Sequence, residues 1–253
     1  MNTDLFRLDG KVALVTGSSR GLGAAMATAL ADAGADLVLH DRCCAGETER
    51  VIRERAGVRT TCLVADLADR AASARLVADA VEAMGKVDIL VNNAGIIRRA
   101  PATEFSDLDW DEVIEINLTA VFRLCRAAGA HMIAQGHGKI INIASLLSFQ
   151  GGVTVPSYAA AKAGVAQLTK ALANEWAARG VNVNAIAPGY MRTDNTKPLV
   201  EDPVRYKQIT DRIPAGRWGV PEDLAGPVVF LASPASNYVQ GHVLVVDGGW
   251  MGR

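Results

Sequence analysis

The sequence predicts a doubly wound parallel α/β sheet, and three observations carry that prediction. Short, β-branched or apolar runs alternate with longer helical stretches along the whole chain. Several of the runs are apolar at nearly every position, the pattern of strands covered by helices on both faces. A glycine-rich turn lies between the first run and the first helix, where open sheets of this kind bind phosphate-bearing ligands. No repeat, low-complexity tract or linker rich in Pro, Gly or Ser divides the 253 residues. A single domain over 1–253 is therefore expected, with about seven strands.

The elements run in this order. Val12 to Thr16 reads as the first strand, and Leu22 to Ala33 as a helix stopped by Gly34. Leu37 to His40 is the second strand, Glu47 to Arg55 a helix, and Thr61 to Val64 the third strand. Asp69 can cap a helix that runs to Met84, with Gly85 beyond it. Ile89 to Asn92 is a strand, followed by one long helix from about Asp109 to Gln135. Lys139 to Ile143 is a strand, Tyr158 to Ala178 a helix, and Val181 to Ile186 a strand. Pro221 suits the first turn of a helix reaching Leu231, and Val243 to Val246 is the last strand. The segment 187–220 holds Pro188, Pro198, Pro203 and Pro214. It reads as loop-rich, long enough to form a lid on the substrate side.

Composition narrows the function. Half the residues are hydrophobic and 21% are charged, as in ordinary globular chains. A net charge of −1 gives no electrostatic footprint for nucleic acid or an anionic membrane, and neither partner is expected. No run of 18 apolar residues could span a bilayer, and Met1 to Arg7 lacks the pattern of a secretory signal. The expected location is the cytoplasm. Cys43, Cys44, Cys62 and Cys125 include no C-x-x-C pair, and the adjacent Cys43 and Cys44 are poorly placed for an ordinary disulfide, so free thiols are expected. His40, His131, His137 and His242 form no ligand-spaced cluster, and no metal is expected.

The turn reads Thr16-Gly17-Ser18-Ser19-Arg20-Gly21-Leu22-Gly23, with spacing G-x-x-x-G-x-G. Glycine there lets a phosphate approach the backbone and lets the helix pack close to the sheet. The helix start then offers free N–H groups and a positive dipole end to a pyrophosphate. Asp41 ends the second strand, where a carboxylate accepts hydrogen bonds from both adenosine ribose hydroxyls and repels a 2′-phosphate. That favours NAD over NADP. Arg20 and Arg42 argue the other way, because either can pair with such a phosphate.

Tyr158 and Lys162 are four residues apart on a predicted helix and share a face. A phenol with a pKa of about 10 is a poor base near neutrality. A neighbouring ammonium favours the phenolate, which can then take a proton from an alcohol as hydride leaves. Ser145 comes after the strand ending Ile141-Asn142-Ile143-Ala144, at the carboxyl end where ligands bind, and its hydroxyl can hold the substrate oxygen. Asn117 lies inside the long predicted helix, a mediocre position for asparagine.

In combination these residues resemble the short-chain dehydrogenase/reductase family from end to end. The matching elements are Thr16-Gly17-x-x-x-Gly21-x-Gly23, Asp66, Asn92-Asn93-Ala94-Gly95, Asn117, Ser145, Tyr158-x-x-x-Lys162 and Pro188-Gly189-x-x-x-Thr193. The resemblance implies a Rossmann-type fold and an oxidoreductase in which Asn117, Ser145, Tyr158 and Lys162 are catalytic. It implies that Gly17, Ser19, Arg20, Gly21, Leu22 and Gly23 wrap the cofactor. Asp66 would hold the adenine edge with Leu67 in the same site, and Asn93, Ala94 and Gly95 would line the cofactor. Asn117 would hold a water linking Lys162 to solvent, and Tyr158 and Lys162 would also bind the cofactor, Lys162 at the nicotinamide ribose. Pro188, Gly189, Met191 and Thr193 would hold the carboxamide and pyrophosphate. It also implies a homotetramer built on the Tyr158 helix and the long helix before it.

The expected substrate mouth is polar. Arg98, Arg99, Gln150, Tyr190, Arg192, Asn195 and Arg217 suit a carboxylate and several hydroxyls better than an acyl chain. Of these, Arg98, Gln150, Tyr190, Asn195 and Arg217 are the candidate substrate residues. The stretches NNAGIIRR (92–99), ASLLSFQGG (144–152) and IPAGRWG (213–219) resemble the family's 2-dehydro-3-deoxy-D-gluconate 5-dehydrogenases, also called 2-deoxy-D-gluconate 3-dehydrogenases. That likeness implies NAD-linked oxidation of a secondary alcohol on a keto-deoxy sugar acid. Two other readings stay open: an NADPH-dependent 3-oxoacyl-carrier reductase or other polyol or gluconate dehydrogenase, and a non-catalytic nucleotide-sensing protein on the same fold.

Overall fold

A computed structural model describes residues 3–253. Among these, seven strands form one parallel sheet in the order β3-β2-β1-β4-β5-β6-β7. The strands are β1 (Val12–Thr16), β2 (Asp36–Asp41), β3 (Thr60–Val64), β4 (Ile89–Asn92), β5 (Gly138–Ile143), β6 (Val181–Pro188) and β7 (Val243–Val246). The helices are α1 (Gly21–Asp32), α2 (Gly46–Ala56), α3 (Arg70–Met84), α4 (Asp107–Ile114), α5 (Ala120–Gln135), α6 (Pro156–Trp176), α7 (Lys197–Glu201), α8 (Pro203–Arg212) and α9 (Ala225–Ala232). The strand order reverses between β1 and β4, so a crevice opens at the carboxyl ends of those strands.

Two cores flank the sheet, and the strand pleat divides the residues between them. Ala13 and Val15 of β1 join Leu37 and Leu39 of β2 beneath α1, α2 and α9, with Met26, Ile52 and Val228. Val12, Leu14 and Val38 face the other way, onto α3, α5 and α6, with Leu76, Leu124 and Trp176. A strand buried on both faces has no polar side to display, which is why β1 is apolar until its last residue.

The fold is the one expected, with three local differences. The long helix over 109–135 is two α-helices joined by a π-helical turn at Glu115–Thr119. Such a turn accommodates one extra residue without ending the helix, so the apolar periodicity runs through it. The segment 187–220 is less loop-like than its prolines imply. Pro198 and Pro203 occupy the first turns of α7 and α8, where a missing N–H loses nothing. Asp202 caps α8 by accepting from Val204 N (2.9 Å) and Arg205 N (3.1 Å). Finally, β6 continues to Pro188 and is buried throughout, although Asn182 and Asn184 interrupt its apolar run. Their amides donate to the carbonyl of Val239, at 3.0 and 2.9 Å, and so hold the approach to β7.

Opposite the crevice, at the amino end of the sheet, Asp88 ties several elements together. Its carboxylate accepts from Val12 N at 2.8 Å and lies 2.9 Å from His137 Nε2 and 3.0 Å from Lys86 Nζ. Burial opposes its ionisation, but the hydrogen bonds from Val12, Lys86 and His137 outweigh burial and hold its pKa below the ordinary value. The Lys86 and His137 side chains are partly exposed and can return to water when the carboxylate is removed, whereas the N–H of Val12 cannot. Asp88→Ala should therefore lose about 1–3 kcal/mol, the penalty of one unsatisfied buried donor, rather than that of a stranded buried charge. Because the folded pKa is depressed, this stabilisation is complete above the unfolded value of about 3.9 and is lost as pH falls through the lower folded value. Urea unfolding over an acidic pH series should show this limb in the parent and its absence in the variant.

Candidate active site

The crevice is a cleft of about 750 Å³. Its floor is the turn after β1. A Cβ placed on Gly23 would lie 2.0 Å from the Gly17 carbonyl oxygen, so the turn closes only on glycine there. Gly21, Leu22 and Gly23, the first residues of α1, line the cleft with Gly17, Ser19 and Arg20. This presents a helix N-terminus to the cleft, with its positive dipole end and unpaired N–H groups.

The segment after β4 is fastened to this turn. Thr16 Oγ1 accepts from the N–H groups of Asn93 (3.0 Å) and Ala94 (3.1 Å), and Asn93 Nδ2 donates to the carbonyls of Thr16 and Gly17, each at 2.9 Å. Asn93, Ala94 and Gly95 line the cleft as a result. Asn117, fully buried in the π turn, grips the next residue: its Oδ1 accepts from Ile96 N and its Nδ2 donates to Ile96 O, both at 2.8 Å. The side chain pairs with one residue's backbone as a neighbouring strand would, and so fixes the path of the chain past the site.

At one end of the cleft, Asp41 accepts from Ser19 N (3.3 Å), from the Ser19 hydroxyl and from Arg42 N (2.7 Å). Burial works against its charge, but the hydrogen bonds from Ser19 and Arg42 prevail and hold the carboxyl below the usual range. His40, Arg42 and Cys43 also line this end, with Asp66 and Leu67 across from them. Arg20 reaches over the cleft to Asp194 at 3.0 Å. Both partners are largely exposed, and such a pair is worth at most about 1 kcal/mol, so it can open as a ligand enters. Thr193 and Asn195 line the cleft, whereas Pro188, Gly189 and Met191, at the end of β6 and in the connection beyond, are not among the residues that line it.

At the other end stand Tyr158, Lys162 and Ser145. Pro156 starts α6, and Tyr158 and Lys162 lie on one face of it. The Lys162 ammonium lies 5.6 Å from the centroid of the Tyr158 ring and donates to the Ile143 carbonyl at 2.6 Å. Burial pushes its pKa down to about 8. Burial pushes the Tyr158 phenol up, while a hydrogen bond with Ser145 and the charge of Arg99 pull it back. Ser145 caps the short helical turn Leu146–Ser148 and accepts from Leu147 N at 3.2 Å. Ser148 in turn donates to the Lys162 carbonyl at 2.7 Å, joining the two halves of the constellation.

The five candidate substrate residues are not gathered equally. Arg98 lines the cleft but is paired with Glu112 at 2.7 Å and Asp109 at 3.5 Å. Arg217 lies outside it in a two-pronged pair with Asp223, at 2.7 and 2.8 Å. Tyr190 packs between Trp218 and Trp250, and Gln150 accepts from the Trp250 indole at 3.4 Å. Arg99 has no ion-pair partner among the described residues and lies close enough to influence the phenol. Sequence reasoning puts forward Arg98 rather than Arg99 as a substrate residue and cannot see that Arg98 is engaged, because the carboxylates that occupy it come from α4. Among the described residues no group of three or more His, Cys, Asp or Glu could hold a metal ion, and no helix is long and apolar enough to cross a membrane.

A glycine-floored cleft at the reversal of strand order, with a tyrosine–lysine–serine set at one end, defines a class. The chain belongs to the short-chain dehydrogenase/reductase family and is an NAD(P)-dependent oxidoreductase acting on CH–OH groups. The family model described as enoyl-(acyl carrier protein) reductase matches residues 17–251. Among individual proteins, the chain is 55% identical to the 2-dehydro-3-deoxy-D-gluconate 5-dehydrogenase of Dickeya dadantii over the full length of both. It is also 55% identical to the enzyme of that name from Escherichia coli, covering 98% of each chain. A crystal structure of a proposed 2-deoxy-D-gluconate 3-dehydrogenase from Agrobacterium tumefaciens, with bound NADP, superposes with a TM-score of 0.94 at 54% identity, covering 99% of this chain and 100% of that one.

Proposed function

We propose that this enzyme oxidises the secondary alcohol of a keto-deoxy sugar acid, 2-dehydro-3-deoxy-D-gluconate in the first instance, with Tyr158 as the acid/base. The observation that carries the reading is the full-length identity of 55% to a relative of that name, on a chain whose reactive phenol has a free arginine beside it. When bound, the coenzyme's oxidised nicotinamide supplies the acceptor for the hydride that leaves the carbinol carbon.

The chain's own residues manage the proton. Ser145 orients the substrate hydroxyl towards Tyr158, and Tyr158 takes its proton. Burial disfavours the phenolate that does so, while Ser145 and Arg99 favour it, and the Lys162 ammonium 5.6 Å from the ring centroid adds a positive charge nearby. Asn117 keeps the segment carrying Arg99 in place through Ile96. Its place beside Lys162 in the family's proton relay is carried over as part of this proposal. Arg99 pairs with the substrate carboxylate. Loss of a hydrogen bond to a charged group is worth about 1.5–3 kcal/mol. Arg99→Ala should therefore raise KM for the sugar acid by roughly 10- to 100-fold. The same change at Arg217 should have little effect. Equal effects at the two positions would remove Arg99 from this role.

NAD is the proposed coenzyme. Asp41 supports it, because an ionised carboxylate held at the ribose end repels a 2′-phosphate. Arg42 at the cleft wall and the NADP in the Agrobacterium relative favour the alternative. Steady-state rates with each coenzyme decide. We expect kcat/KM for NAD⁺ to exceed that for NADP⁺ by roughly tenfold or more, equivalent to about 1.4 kcal/mol, and Asp41→Ala to narrow the gap. A parent enzyme that prefers NADP⁺ sinks the assignment.

The substrate test is the appearance of reduced nicotinamide when the purified protein meets 2-dehydro-3-deoxy-D-gluconate. The reading fails if that compound is inert while an acetoacetyl thioester is turned over. A homotetramer is proposed as well, supported by Leu108 and Trp110 on α4 and Phe122 on α5, which leave apolar surface exposed. The four free cysteines suit a reducing cytoplasm.

A further inference from the structure

The connection between β2 and α2 brings two thiols together beside the coenzyme cleft. Cys44 lies in the connection and is exposed; Cys62 lies on β3, in register with Leu39 of β2, and is partly buried. The two thiols are near enough for Cys44 to influence the Cys62 thiol. Ala45 N donates to Cys62 Sγ at 3.2 Å, so the connection is folded back onto β3 at this point. Immediately upstream, Asp41, Arg42 and Cys43 line the cleft. The pair plays no part in the chemistry at Tyr158. Cys125, by contrast, is sealed in the core, where burial pushes its thiol up to about 12.

We propose that Cys44 and Cys62 are a modification site: hydrogen peroxide converts them to a reversible disulfide, and the bond weakens coenzyme binding by displacing the Asp41–Cys43 segment. The exposed Cys44 reacts first, its thiolate attacking a peroxide oxygen. The O–O bond breaks, leaving a sulfenic acid and one water. The Cys62 sulfur then attacks the Cys44 sulfur. An S–S bond forms, the S–O bond breaks, and the departing hydroxide leaves as a second water with the Cys62 proton. Two thiols are oxidised and one peroxide is reduced. Exposure divides the roles: Cys44 is open to the oxidant, whereas Cys62 is partly buried and its thiol is raised by burial, so it meets the oxidant less readily.

The conformational consequence is a matter of length. The sulfurs of two free thiols must close to about 2.05 Å to bond. Cys62 is held in the sheet, so the connection carries most of the movement. Two residues separate Cys44 from Asp41, whose carboxylate is fastened to Ser19 in the phosphate turn. Oxidation therefore pulls on the ribose end of the site. Linkage makes the effect mutual: if the disulfide weakens NAD⁺ binding by some factor, bound NAD⁺ opposes the disulfide by the same factor.

This inference rests on the reading of Asp41 as the ribose-binding carboxylate. Its test treats the whole protein with one equivalent of hydrogen peroxide, with and without saturating NAD⁺. The products are then mapped by mass without reduction, and NAD⁺ kinetics are measured. The expected result is a linked Cys44–Cys62 peptide, a KM for NAD⁺ raised roughly fivefold or more with kcat little changed, reversal by dithiothreitol, and slower linkage when NAD⁺ is present. Cys44→Ser and Cys62→Ser should keep the reduced kinetics and lose the response. Cys43→Ser should still yield the linked peptide. No linked peptide, or a linked peptide with an unchanged KM, overturns the proposal. The peptide is read by mass and is independent of Asp41, whereas the NAD⁺ KM of reduced Asp41→Ala tests the ribose reading alone, so the two failures are separable.

Discussion

Replacing Tyr158 by phenylalanine should lower kcat for sugar-acid oxidation by roughly 10²–10⁴, the range over which a positioned acid/base contributes, while the coenzyme dissociation constant stays near that of the parent. The change removes one oxygen and keeps the ring. The ring lies against Lys162 at 5.6 Å, so the lysine loses its reactive partner but not its packing. Ser145 loses a hydrogen-bonding partner and keeps its contact with Leu147 N. Nothing at the phosphate turn is touched. Coenzyme binding followed by fluorescence, beside single-turnover rates, separates the two quantities. Matched losses in binding and rate would show that Tyr158 is chiefly structural. The pH profile offers a second check: kcat/KM for oxidation should rise towards alkaline pH, because the phenol must be ionised and burial holds its pKa up.

The second large effect belongs to Gly23. An alanine methyl there would sit 2.0 Å from the Gly17 oxygen and 2.5 Å from Asn93 Nδ2. The oxygen belongs to backbone already engaged by Asn93, so it cannot swing aside as a flexible side chain would. Overpacking of this kind destabilises by about 1–3 kcal/mol, and a backbone obstacle places it at the upper end. For a chain of this size that lowers Tm by roughly 6–12 °C. If the turn instead opens to relieve the clash, its N–H groups lose their convergence. Coenzyme affinity should then fall by roughly 100-fold, since about 3 kcal/mol spans two decades. Gly46→Ala is the control. It opens α2, has only Cys44 Sγ nearby at 3.7 Å, and should leave Tm within about 2–4 °C of the parent. A Gly23→Ala protein with parental Tm and parental coenzyme affinity would show that the close approach has no energetic consequence.

How much of this could be read from residues alone depends on what kind of fact each feature is. The sheet was legible because a strand buried on both faces must be apolar on both, and Val12 to Val15 obey that rule without a partner being known. Tyr158 and Lys162 were legible because helical spacing is local. The π turn was not, because one extra residue inside a continuing helix leaves capping and hydrophobic signals intact; the only trace was an asparagine in an awkward place. α7 and α8 were hidden by their own prolines, which read as breakers until Asp202 is seen to cap α8. The choice between Arg98 and Arg99 was hidden for a different reason. Both are cationic, adjacent and near the cleft, and what separates them is the arrival of Glu112 and Asp109 from a helix whose position is a property of the whole fold. Arg217 is a related case, since its engagement depends on Asp223 being brought back across the turn before α9.

The π turn at Glu115–Thr119 has a consequence for the phase of the helix that carries it. α4 packs against α6, the helix of Tyr158, whereas α5 packs mainly against α3 and the sheet and meets α6 only towards its end, at Trp176. An uninterrupted α-helix advances about 100° per residue and would keep one angular relation between its two halves. The additional residue resets that relation, so each half addresses its own neighbour while Asn117, at the point of resetting, is aimed at Ile96. Deleting a single residue from this turn would restore a regular helix and rotate one half by about 100° against the other. The awkward asparagine and the change of packing partner are thus one event: the helix gives up a residue to its own indexing, and the catalytic segment after β4 is what that indexing points to.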